Sequence, residues 1–73
     1  MEFKKGQVFE LPRGSKILIH DIKYSIIHLL WDDGCWSKTI ASNLKSTSSP
    51  SDIVLLHEDF DEIQFRLVYM NEY

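Results

Sequence analysis

The side chains in this chain best suited to metal binding or thiol nucleophilic chemistry are few: one cysteine, Cys35, and three histidines, His20, His28 and His57. A metal centre built from them would call for close ligand pairs such as Cys-x2-Cys or His-x3-His, which put two ligands on one turn or one face. No pair here has that spacing, so neither a metal site nor a cofactor is expected. Cys35 with a histidine as base is the remaining nucleophilic option. The thiol lies next to Asp32 and Asp33 in sequence, and neighbouring carboxylates disfavour the thiolate that would react. A chain this short also leaves little concave volume for a substrate. The expectation is a protein that is not an enzyme.

The carboxylates point elsewhere. Glu58, Asp59, Asp61 and Glu62 place four acids in five positions around Phe60. They lack the Asp-x-Asp-x-Asp-Gly run of a calcium loop. Adjacent acids on a strand face opposite ways, so Asp32 and Asp33 do not make a shared acid–base pair either. What such a cluster offers is charge beside an aromatic anchor, the composition of a contact with a basic partner. Glu58, Asp59, Phe60, Asp61 and Glu62 are therefore the expected partner-binding residues, with Asp32 and Asp33 as secondary contacts. Trp31 and Trp36 are either core residues or an exposed aromatic contact, since tryptophan serves both purposes.

These residues need elements to hold them. Gln7–Leu11 reads as a short strand, and Pro12–Ser15 as a turn. The apolar run 16–31 is too long for one ordinary strand, and the polar pair His20-Asp21 is its natural break, giving strands near 16–20 and 23–31. Trp31-Asp32-Asp33-Gly34-Cys35-Trp36 reads as a hairpin tip, with Asp33-Gly34 as a two-residue type I′ turn. That register sets Trp31 opposite Trp36 and Ile27 opposite Ile40, with Ile27, Leu29, Trp31, Trp36 and Ile40 on the core face. Ser46–Ser51 is a loop by composition. Asp52–His57 fits a buried strand or a short helix with Ser51 as N-cap. In the last segment Ile63, Phe65, Leu67 and Tyr69 alternate with Gln64, Arg66, Val68 and Met70, the pattern of a strand. The sum is a mainly β domain spanning 1–73: a small barrel or strongly bent sheet, with an SH3-like form as one option and a short helix near 51–58 as another. A helix-turn-helix from 39–44 and 51–56 is a poor fit, because its turn is too long and lacks glycine.

Length and charge bound the function. At 73 residues, 44% hydrophobic and 12% aromatic, the chain has material for one core and no more. Lys4, Lys5, Arg13, Lys16 and Lys23 against Glu2, Glu10 and Asp21 give residues 1–31 a sum of +2. Asp52, Glu58, Asp59, Asp61, Glu62 and Glu72 against Arg66 give residues 52–73 a sum of −5. An acidic end repels phosphate and attracts basic surfaces. The expected function is a small acidic regulator or inhibitor that occupies a basic surface of a partner, a DNA- or RNA-binding protein being the natural target. The alternative is a small barrel that binds nucleic acid directly through the front lysines and a stacked tryptophan. A single cysteine, no signal-like start and no apolar run near membrane length make a cytoplasmic, membrane-free protein the expectation.

Gly34→Ala is expected to lower stability by roughly 1 kcal/mol, because a Cβ resists the positive φ that the turn needs at this position. Thermal denaturation of the two proteins checks it, and equal midpoints would remove Gly34 from the turn.

Overall fold

The computed structural model describes residues 3–46 and 53–71. Five strands, β1 (Val8–Glu10), β2 (Lys16–Lys23), β3 (Ile26–Trp31), β4 (Trp36–Ile40) and β5 (Val54–His57), form one antiparallel sheet in the order β4-β3-β2-β1-β5. β4 and β5 are its two edges, and no ladder joins them among the described residues, so the sheet is open and the barrel, one of the two expected forms, is not closed. A short helix, α1 (Ala41–Ser46), follows β4. Thr47–Asp52 lie outside the described residues. That range holds most of the expected Ser46–Ser51 loop and the Ser51-Asp52 start of the helical alternative. From Val54 onward the segment is strand. The helix-turn-helix reading fails with it, since the second helix would need 51–56.

The long apolar run resolves differently from the expected split. β2 continues through His20-Asp21 as one strand with a bulge: Ile19 pairs with Leu29 and Asp21 with His28, leaving His20 as the extra residue. The bulge resets the alternation, so Ile19 and Ile22 reach the same core although they are three apart. The chain then reverses at Tyr24-Ser25, between paired Lys23 and Ile26. Both turn residues have positive φ, 53° and 67°, as a type I′ turn requires. Sequence had read residues 24 and 25 as strand, because neither is a residue that favours this conformation.

The β3–β4 hairpin is present but its register is one residue away from the expected one. Leu30 pairs with Trp36 and Ile27 with Thr39. The loop has three residues, Asp32-Asp33-Gly34, closed by bonds from the Trp31 amide to the Cys35 carbonyl (2.8 Å) and from the Gly34 amide to the Trp31 carbonyl (3.0 Å). Only Gly34 has positive φ there, at 91°, which is the three-residue loop with a glycine bulge and not the type I′ turn. A slip of one residue sends a whole strand's side chains to the other face. Trp31 therefore shares a face with Ile27 and Leu29, while Trp36 and Ile40 stand on the opposite one with Leu30.

Both faces carry a core. On one, Phe9, Ile17, Ile19, Ile27, Leu29 and Ile53 are buried, with Phe3, Leu11 and Trp31 packed around them. On the other, Val8, Leu18 and Leu30 lie beneath Phe65. Phe65 arrives on a helix and not on the expected strand: α2 (Glu62–Phe65) continues as a π-helical turn over Arg66–Met70. The alternating pattern of 63–70 is overruled by a capping box. Asp61 accepts from the Gln64 amide (2.8 Å), and the Gln64 side chain accepts from the Asp61 amide (3.2 Å). The wider π turn brings Phe65, Tyr69 and Met70 to the sheet together. Ile63 and Leu67, expected on the same face as Phe65, point to solvent instead.

Two consequences can be measured. Phe65→Ala should cost about 3–5 kcal/mol and unfold much of a domain this small, whereas Ile63→Ala, at a position 70% exposed, should change stability by under about 0.5 kcal/mol. Equal losses in chemical denaturation would restore the strand reading. Replacing Tyr24 by Asn and Ser25 by Gly should stabilise the protein by roughly 1 kcal/mol, since these residues tolerate positive φ better. A lower unfolding midpoint in the double variant would refute the turn.

Candidate interaction surface

The acidic segment is held in place by a backbone clasp. The Gly6 amide donates to the Ile19 carbonyl and the Phe60 amide donates to the Gly6 carbonyl, both at 2.9 Å, so residues 58–60 are tied to the bulge in β2 through Gly6. Gly6 has φ of 96°, and a Cβ there would come within 3.0 Å of the Glu58 carbonyl oxygen. No other residue meets both demands at low cost. The adjoining turn is closed by the buried Gln7, whose side-chain oxygen accepts from the Lys4 amide at 2.6 Å.

The clasp decides what each acid is free to do. Phe60 is half-buried and stacks on His57 at 3.9 Å between ring centres, with His57 Nε2 in turn 2.7 Å from the Tyr69 hydroxyl. It fastens the loop to the second core. Asp61 caps α2. Glu62 pairs with Arg66 (2.9 Å) and approaches His20 (3.7 Å). Glu58 and Asp59 are exposed, and neither has a hydrogen bond or ion pair among the described residues. Within 58–62 the acids whose side chains have no partner among the described residues are thus Glu58 and Asp59, directly after β5.

Asp32 and Asp33 are elsewhere, in the β3–β4 loop beside the start of β2. The Asp32 carboxylate accepts from the Lys16 amide (3.2 Å), and that of Asp33 from the Cys35 amide (3.0 Å). The second bond holds the Asp33 carboxyl below the usual range, and the same carboxylate pushes the exposed Cys35 thiol up. Both acids have local work in the hairpin and are not joined to the 58–62 corner.

Two features were not legible beforehand. His20, extruded by the bulge, meets Trp36 edge-on with ring centres 5.0 Å apart, and it lines a cleft of about 410 Å³ with Lys5, Phe60, Asp61, Glu62 and Ile63. Trp36, 49% exposed, stands with Ile26 and Ile40 on the part of the second face that α2 leaves uncovered. Its partner in the expected aromatic pair, Trp31, is instead half-buried on the first face and donates to the Ser37 hydroxyl at 2.7 Å. The polar pair inside an apolar run was the signal for the bulge; nothing local marked which face Trp36 would take.

The basic residues of the front half do not form one track. Lys16 bonds Glu10 (3.1 Å) near the β1–β2 turn, where Arg13 also lies. Lys23 bonds Asp21 (3.6 Å) at the far end of β2, with Lys5 on that side of the molecule. Among the described residues no three His, Cys, Asp or Glu side chains converge as metal ligands, and no helix is long and apolar enough to cross a membrane. Comparison of the chain with protein-family models, with curated proteins and with solved structures finds no match in any of the three.

Proposed function

We propose that the protein is a small acidic interaction module that occupies a basic surface of another protein, one that itself binds DNA or RNA being the class whose functional face fits. The observation that carries this reading is the clasped corner at Glu58 and Asp59: two exposed carboxylates, without internal partners among the described residues, on a loop tied by main-chain bonds to the central strand. A fixed pair of desolvatable charges speeds encounter with an opposite surface and loses little freedom on docking. Asp61 and Glu62 add to the field although their side chains are engaged at the start of α2. The divided placement of Arg13, Lys16, Lys5 and Lys23 supports this over direct nucleic-acid binding, which needs a continuous positive groove. The finer reading of the fold belongs to the same proposal: a meander β1–β4 whose fifth strand returns to β1 suits an SH3-like module, a scaffold that leaves its loops and edges for recognition.

The test starts by immobilising the protein and capturing binders from a nuclease-treated lysate. Binding of the captured protein is then measured for Glu58→Gln/Asp59→Asn at two salt concentrations. Loss of about tenfold or more in affinity, together with a flatter salt dependence, is expected. Affinity and salt slope equal to those of the parent protein would reject the corner as the contact.

A further inference from the structure

The two edges of the sheet are not equivalent. β4 carries Lys38, exposed, at its centre, and a lysine on an edge strand discourages another strand from adding to it. β5 has no such guard. Its residues are Val54-Leu55-Leu56-His57, without proline or acidic or basic side chains other than the terminal histidine. Val54 is 48% and Leu55 42% exposed. β5 pairs with β1 on one side, and its other side has no strand neighbour among the described residues. The register shift in this ladder falls at Leu56, so Val54 and Leu55 stay in regular register with Glu10 and Phe9.

We infer that the free edge of β5 accepts an extended segment of the partner as a sixth strand, with an arginine or lysine of that segment against Glu58 and Asp59. This rests on the acidic corner proposed above and names the form of polypeptide that reaches it. Main-chain bonds along Val54–His57 supply affinity without regard to side chains, and the two carboxylates select a segment with basic residues at one end. Every ladder in this sheet is antiparallel, so an incoming strand that continues the pattern presents its amino end to the corner. A second copy of this chain is the poorer occupant. It would bring its own Glu58 and Asp59 to the same short contact, and the whole chain already carries a net charge of −3.

The experiment uses the full chain, labelled for amide-resolved NMR. Its probe is an eight-residue peptide of alternating threonine and valine with two arginines at its amino end. Amide exchange at β5 is expected to slow by about tenfold or more at saturating peptide, with shifts centred on Val54–Asp59. N-methylation of alternate peptide residues, which removes the donors of one edge, should abolish binding. Replacing the arginines by glutamates should weaken it by about tenfold or more. If the N-methylated peptide still shifts Glu58 and Asp59 as strongly, edge pairing is wrong while the acidic corner stands. If the glutamate peptide pairs with β5 as well as the arginine one, the basic class of segment is wrong and the corner loses its support. Unchanged β5 amides at millimolar arginine peptide overturn the edge site outright.

Discussion

Val8, Leu18 and Leu30 belong to three neighbouring strands, and all three would face water if Phe65 were not seated on them. The remainder of the structure depends on that contact. A sheet with one buried face needs only alternating residues, but the central strands here are apolar on both sides because each side has something to pack against. Each large side chain moved out of water contributes about 1.5–3 kcal/mol, so the second layer is a substantial share of what a domain of this size can gather. Phe65 brings Tyr69 and Met70 with it, and Met70 reaches Gly34 at the hairpin tip. One short helical segment thereby braces the sheet from the β2 bulge to the β3–β4 loop.

Docking of that segment also sets the surface. The helix must be capped at Asp61 for Phe65 to reach the sheet, and so the chain between β5 and α2 is only four residues long, Glu58 to Asp61. A loop this short has few ways to run. Gly6 ties it to β2 with one main-chain bond to each, from Phe60 and to Ile19, and Phe60 stacks beneath it on His57. With Asp61 spent on the cap and Glu62 on Arg66, the two remaining carboxylates project outward. Their exposure follows from the packing of the helix and not from a separate feature of the loop.

The same packing leaves part of the sheet bare. α2 and its π turn cover the strands around Leu18 and Leu30, while Ile26, Trp36 and Ile40 stay partly open on β3 and β4. The His20 bulge sits at this boundary, touching Trp36 on one side and Glu62 on the other. A bulge next to a change of covering layer is where a strand can bend without breaking its ladder. Conformational strain gathers at a turn nearby: Tyr24 and Ser25 both hold a left-handed backbone in the two-residue reversal between β2 and β3.

Read on its own, the chain determined its mainly β character, a strand within 7–11, the start of a strand at 16, the hairpin about Asp33-Gly34 and the run of acids after residue 57, because each rests on local chemistry: apolar runs, turn residues and charge. Tertiary structure decided what local chemistry leaves degenerate. The hairpin register changed by one because a three-residue loop and a two-residue turn use the same Asp-Gly signal, and only the facing layers distinguish them. The segment 62–70 reads as a strand in its alternation and as a helix in its Asp61–Gln64 cap, and the second sheet face, which needed a cover, selected the helix. In composition Phe60, Asp61 and Glu62 read with Glu58 and Asp59 as one acidic cluster around an aromatic residue. They were separated only when packing, capping and pairing engaged the first three and left the other two side chains without a partner among the described residues.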